Sequence, residues 1–338
     1  MRILIRPRLP VLALLLLAPS IPELLTGSTP ISELFFNPPG FAVGFTLDVA
    51  LYGCGALLIR EFSVAYQKGW ASILLLGAAY GIAEEGFEVH TFFEPSGSPV
   101  GALGSYGHLY GVNWLWALAL TIFHATYSIA LPILLTRLWF PAVKDARWLD
   151  RGAVALLSVV YVGEVGIFGF LVGHGPSPAA LAFFVGVVAA LIALALSVPR
   201  DLLHVSPGAT RLGRATLVLL GATPFLAYVV VLVASESHGV PAVLAGLFLV
   251  AADAAVLGVL LRYVGSVDLE RSEFRFAVGM LSALFAWDVV LEFIVGPEIL
   301  LVTAVFVYLL YRLDRTLLAR AHPPGVPVGA TGPPSSGF

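Results

Sequence analysis

Ten apolar runs separated by short polar gaps fill this chain: 9–26, 41–59, 70–91, 113–136, 152–173, 178–198, 213–234, 240–261, 276–295 and 298–311. A helix needs about 20 apolar residues to cross a hydrocarbon core of about 30 Å. Only helices and closed barrels satisfy every backbone polar group in lipid. Apolar stretches of this length recur from end to end, so the expected fold is all-α: a polytopic helical membrane bundle of about ten transmembrane helices. Composition agrees. The chain is 59% hydrophobic and 12% charged, against about 25% charged in a soluble domain.

The basic residues set an expected orientation. Arg2, Arg6 and Arg8 precede the first run; Arg60 and Lys68 lie between the second and third. Arg137, Lys144, Arg147 and Arg151 follow the fourth run, and Arg200, Arg211 and Arg214 follow the sixth. Arg262, Arg271 and Arg275 follow the eighth; Arg312, Arg315 and Arg320 follow the tenth. All 18 basic residues thus sit on one side, and the gaps after the odd-numbered runs hold none. Basic loops stay cytoplasmic, so both termini are expected inside. A miscounted span would break the alternation.

Residues 1–320 are expected to form one transmembrane domain, and 321–338 a disordered tail rich in Pro, Gly and Ser. The charged start resembles a signal peptide, but Ala18-Pro19-Ser20 is a poor cleavage site, so an uncleaved first span is expected. The long gap 92–112, with Gly, Pro and aromatics, is expected to fold onto the bundle mouth. The expected partner is the lipid bilayer; a net charge of −3 gives no reason to expect nucleic acid. Cys54, the single cysteine, reads as a small packing residue without a disulfide partner.

Against this apolar background the third run ends in Gly81-Ile82-Ala83-Glu84-Glu85-Gly86-Phe87-Glu88-Val89-His90. Ionisable groups at membrane depth are costly and mark functional sites by default. At helical spacing Gly77, Gly81, Glu84 and Glu88 share one face, where glycine lets a second helix come close. Glu85 lies a quarter-turn away. The fourth run carries a matching stripe of Asn113, Ala117, Thr121, His124 and Ser128. Further acids are Asp48 with Tyr52, Glu164, Asp253, and Asp288 with Glu292. At about 1.5 Å per residue, Glu84, Glu164, Asp288 and Asp48 each fall roughly 18–21 Å from the cytoplasmic ends. Four acids then share one layer without Lys or Arg. They must take up protons or share a cation. Glu84, Glu85, Glu88 and His124 form a candidate metal set, for a divalent ion such as zinc. Glu88 and His90 lie near enough to the outer interface for solvation. Glu23, Glu33, Glu94, Glu236, His238 and Glu298 read as solvated outer residues.

Two adjacent glutamates on one membrane helix and a histidine on the next resemble the CAAX-protease and bacteriocin-processing (Abi) family. That resemblance implies an intramembrane hydrolase in which Glu84 or Glu85 activates water and His124 orients it or binds a metal. The family's arginine is replaced by Val89, its phenylalanine by Leu120, and its third histidine motif has no counterpart here. The stretches Glu23-Leu-Leu-Thr-Gly-Ser-Thr-Pro30 and Thr121-Ile-Phe-His-Ala-Thr-Tyr-Ser-Ile129 look like those of prokaryotic multi-span proteins without an assigned activity, which implies the plasma membrane. Three functions stay open: an assembly factor, receptor or scaffold whose acids serve packing; an intramembrane hydrolase acting on a membrane-embedded or small-molecule substrate; and a proton- or cation-coupled transporter.

Overall fold

The computed structural model describes residues 8–94, 105–172, 175–203, 212–234, 239–263 and 269–321. The expected tail, Arg2, Arg6, Arg211, His174, Glu236, His238 and the middle of the 92–112 connection lie outside these residues. Among the described residues, a helix stands at each of the ten apolar runs, besides a short one at Glu33–Phe36. Helix α1 comprises Arg8–Pro19 and continues through Ser20–Leu24. Helix α2 is Pro38–Ala65, α3 is Trp70–Ile82 continued by Ala83–Glu88, and α4 is Trp114–Trp139. Then follow α5 (Arg151–Leu171), α6 (Pro178–Ser197), α7 (Arg214–Ala234), α8 (Ala242–Tyr263), α9 (Leu269–Val295) and α10 (Ile299–Ala321).

Among the described residues, seven of these are long and apolar enough to cross a membrane: α2 and α4 to α9. Helix α1 is short, α3 ends in carboxylates, and α10 carries Arg312, Arg315 and Arg320. Several helices outrun their apolar stretch. Helix α9 starts at Leu269 rather than 276, and α10 runs to Ala321 rather than 311. Hydropathy registers only the length that lipid selects, whereas backbone hydrogen bonds carry a helix on into the polar interface.

Helix α4 is the hub, packed against α1, α2, α3, α8 and α9. Helix α6 lies along α3, and α5 against α2 and the acidic end of α3. Helices α7 and α9 approach backbone to backbone because each offers a glycine: Gly221 faces the carbonyl of Phe276, and Gly279 faces that of Val218. Elsewhere the outer helices show their apolar side chains to the surroundings, with Val159 71% and Phe170 86% exposed on α5. Such surface is a liability in water and the normal state in lipid.

The basic connections gather at one end. Arg60 of α2 donates to the carbonyls of Val143 (3.2 Å) and Lys144 (2.9 Å), lies 3.5 Å over the Trp148 ring, and pairs with Glu61 at 3.1 Å. Glu61 also accepts from Arg147 Nε (2.9 Å) and the Trp148 amide (3.0 Å). Lys68 donates to carbonyls at the end of α6, Lys144 pairs with Glu270 at the start of α9, and Arg320 of α10 donates to the carbonyl of Leu138 at the end of α4. The ends of α2, α4, α6 and α10 therefore meet on one face.

Candidate functional site

Four helices contain a wide π-helical turn: Ser20–Leu24 in α1, Val49–Gly53 in α2, Ala83–Glu88 in α3 and His124–Ala130 in α4. Each brings a polar side chain to the same place. Their backbone bonds span five residues, as from Val89 N to Glu84 O at 3.0 Å and from Leu25 N to Ser20 O at 3.2 Å. Such turns concentrate at functional sites because they re-aim side chains. In α3 the wide turn corrects the quarter-turn expected between Glu84 and Glu85: both reach His124. Close packing makes this meeting feasible. Gly77 lies against Ala125, and Gly81 against His124 and Thr121, where any side chain would hold α4 away.

At the centre, His124 Nε2 is 3.0 Å from Glu85 Oε1, and its Nδ1 is 3.1 Å from Glu84 Oε2 and 2.9 Å from Ser128 Oγ. One carboxylate oxygen from each glutamate and one ring nitrogen lie within 4.8 Å of one another, with all three residues buried. Tyr52, Tyr80 and Phe123 surround the imidazole at centroid distances of 6.1, 6.2 and 5.5 Å. The Tyr52 hydroxyl bonds to Glu84 and, at 2.5 Å, to Glu23. Glu23 accepts from Thr29 at 3.0 Å, and Thr29 also reaches Asp48 at 3.2 Å. A phenol has one hydrogen to donate. One of the two carboxyls on Tyr52 must therefore carry a proton of its own.

Beyond the acidic end of α3, Trp116 Nε1 donates to Thr91 Oγ1 at 3.0 Å, and Thr91 donates to Glu85. Asn113 then ties the loop down, its amide donating to the carbonyls of Thr91 (3.1 Å) and Glu94 (2.6 Å). A two-residue hairpin, β1 (His108–Leu109) with β2 (Val112–Asn113), completes this cover. The described parts of the 92–112 connection thus lie on the bundle mouth. Among the described residues, no Lys or Arg pairs with Glu23, Glu84, Glu85 or Glu88. The nearest basic residue along α2, Arg60, is eight residues from Tyr52, about 12 Å.

The other acids divide. Asp48 joins the centre through Thr29. Glu88 and Glu164 lie near each other across α3 and α5. Gly169 lets the two helices close there, packed on the carbonyl of Phe87. Asp288 does not join: it is fully buried but bonded to Thr303 of α10. Glu292, one turn on, is half-buried and takes no part in the contacts described for the centre. The acids that meet at the centre lie on α1, α2 and α3; depth along an axis says nothing about which way a residue points. Two outer residues are less open to solvent than the solvated reading has it: Glu23 is half-buried and His90 is buried. Glu23 is part of the centre, and His90 is 6% exposed in a left-handed backbone conformation with φ 58°. Pro19 and Pro22 beside Glu23 were the available signal, since a break in a span often lines a polar cavity. Thr91 and Trp116 gave none.

A family model described as an uncharacterized membrane protein family matches residues 12–320. The chain belongs to that family. No curated protein and no solved structure matches it. The family match takes in every residue of the polar centre, so this multi-pass membrane family is defined over the region that builds the centre. Apolar helices and family together make the bilayer its environment.

Proposed function

We propose that this is a ten-span plasma-membrane protein, with both termini in the cytoplasm, built around a divalent-cation centre of the zinc class. The observation that carries this is the convergence of Glu84, Glu85 and His124, with donor atoms within 4.8 Å and, among the described residues, no Lys or Arg paired with them. A nitrogen and two carboxylate oxygens are a zinc-type donor set. A divalent ion offsets two carboxylates where lipid offers nothing else. Tyr52 on Glu84, Ser128 on His124 and Thr91 on Glu85 are the outer partners that orient such ligands. When bound, the ion would supply an acidic water and polarise a carbonyl, which fits the hydrolase implied by the Glu-Glu/His resemblance. Within that reading Glu84, Glu85 and His124 hold the ion, while Glu23, kept apart by Tyr52, is the free carboxyl placed to move a proton.

Elemental analysis of the purified protein tests this. About one zinc-class ion per chain is expected, lost in Glu85→Ala and His124→Ala. Metal-free protein that stays folded and takes up none from buffer would overturn it. A second reading rests on the unbroken string Asp48–Thr29–Glu23–Tyr52–Glu84–His124–Glu85, which has the form of a proton relay in a coupled transporter. It requires pH-driven flux in proteoliposomes that Tyr52→Phe stops, with no metal present. If neither metal nor flux is found and Glu84→Ala only lowers thermal stability, the acids serve packing in a scaffold or receptor.

A further inference from the structure

Helix α3 does not run on past its acidic end. His90 takes a left-handed backbone conformation, with φ 58° and ψ 20°, uncommon for a residue that carries a side chain. The chain turns back there, and Thr91, six residues after Glu85, brings its hydroxyl onto that carboxylate. The turn is held from α4. Asn113 donates to the Thr91 carbonyl at 3.1 Å, and Trp116 Nε1 donates to Thr91 Oγ1 at 3.0 Å. Trp116 stands on the same helix as His124. The two oxygens of Glu85 are therefore both set from α4: Oε1 by His124 Nε2 at 3.0 Å, and Oε2 by Trp116 through Thr91.

Chemistry fixes the direction of these bonds. An indole N–H donates and cannot accept, and a hydroxyl has one hydrogen. With Trp116 on the Thr91 oxygen, that hydrogen goes to Glu85 Oε2, the acceptor left to it among the described residues. Trp116, Thr91 and Glu85 are all buried, so bulk water does not stand in for either bond. A carboxylate can hold a metal through one oxygen or through both. Here Oε2 is engaged and Oε1 is the oxygen turned to His124. We propose that Trp116 is a positioning residue: acting through Thr91, it keeps Glu85 a one-oxygen ligand. This rests on reading Glu84, Glu85 and His124 as a divalent-cation centre, and adds which oxygen binds and why. Three single-atom ligands leave a fourth position for water, the pattern of reactive zinc sites. A two-oxygen grip by Glu85 would fill it.

The test is titration of the metal-free full chain in detergent with cobalt(II), whose visible band is intense at four-coordination and weak above it. The intact protein should bind one cobalt per chain and show the intense band. Thr91→Val frees Oε2 to join the ion, so the cobalt-loaded variant should lose that intensity, and Thr91→Ser should keep it. Trp116→Phe retains Thr91 without the N–H that directs it, and should weaken the band in the same sense. Loosened packing by itself lowers the melting temperature and leaves the band of loaded protein unchanged. A folded, cobalt-loaded Thr91→Val or Trp116→Phe protein with the full band, or a Thr91→Ser protein without it, would overturn this inference and leave the cation centre standing. An intact protein that binds no cobalt would overturn both.

Discussion

Replacing Gly81 by alanine sets a methyl group against α4 at the point where the polar centre is held closed. The new Cβ would lie 2.8 Å from His124 Cβ, 3.4 Å from His124 Cγ and 3.4 Å from Thr121 Cα. Carbon atoms in contact sit about 3.5–4.0 Å apart, so the shortfall at His124 is about 0.7–1.2 Å. Neither His124 Cβ nor Thr121 Cα can swing aside, because both are fixed to the backbone of α4. The helix must move, and His124 moves with it. Overpacking of this kind costs about 1–3 kcal/mol, offset by about 1 kcal/mol of helix propensity gained from glycine to alanine. Gly186→Ala on α6 is the control, for nothing lies within 4 Å of its Cβ, so it keeps the propensity gain alone. The two variants should differ by about 1–3 kcal/mol. At roughly 2–4 °C per kcal/mol, Gly81→Ala melts roughly 2–12 °C below Gly186→Ala in detergent. Metal ligands tolerate displacements of only about 0.2 Å, so bound metal should fall further than stability does. If both variants melt together and hold equal metal, the close approach of α3 and α4 does not set the centre.

Tyr52→Phe removes the hydroxyl shared by Glu23 and Glu84, leaving buried carboxyl oxygens without that partner; a loss of about 1–3 kcal/mol should appear as a lower melting temperature, and an unchanged one would deny the bridge. Arg60→Met strips the α2 end of its contacts to Glu61, Val143, Lys144 and Trp148. Breaking a buried pair costs about 3–5 kcal/mol, and because Arg147 still serves Glu61 the lower figure is expected by chemical denaturation, with a loss under about 1 kcal/mol refuting the buried-clasp role. In a Cys54→Ala background, Glu33→Cys should react with impermeant thiol reagents from outside whole cells and Tyr66→Cys only after lysis; labelling of both from one side would refute the topology.

The candidate centre was only partly legible in the chain. Glu84, Glu85 and His124 stood out because carboxylates and imidazole are rare among apolar residues, and Gly77 and Gly81 announced a close helix neighbour. Glu23 did not stand out, since its place near the end of a short, proline-broken run looked like exposure to water. Asp288 stood out wrongly. Its expected depth matched that of Glu84, but its side chain accepts from Thr303 of α10 and not from a group of the centre.

What the amino-acid order determined by itself is the linear arrangement: where the apolar helices lie along the chain and which connections carry its charges. Each residue's transfer free energy between water and lipid acts locally, so a one-dimensional reading recovers it. Which acids meet was decided by the tertiary structure. Four wide turns rotate Glu23, Tyr52, Glu84, Glu85 and His124 toward one point, and they hold because α1 to α4 pack there and satisfy the polar groups one another exposes. Helix phase and helix neighbour are properties of packing, and the hydropathy of a single span contains neither.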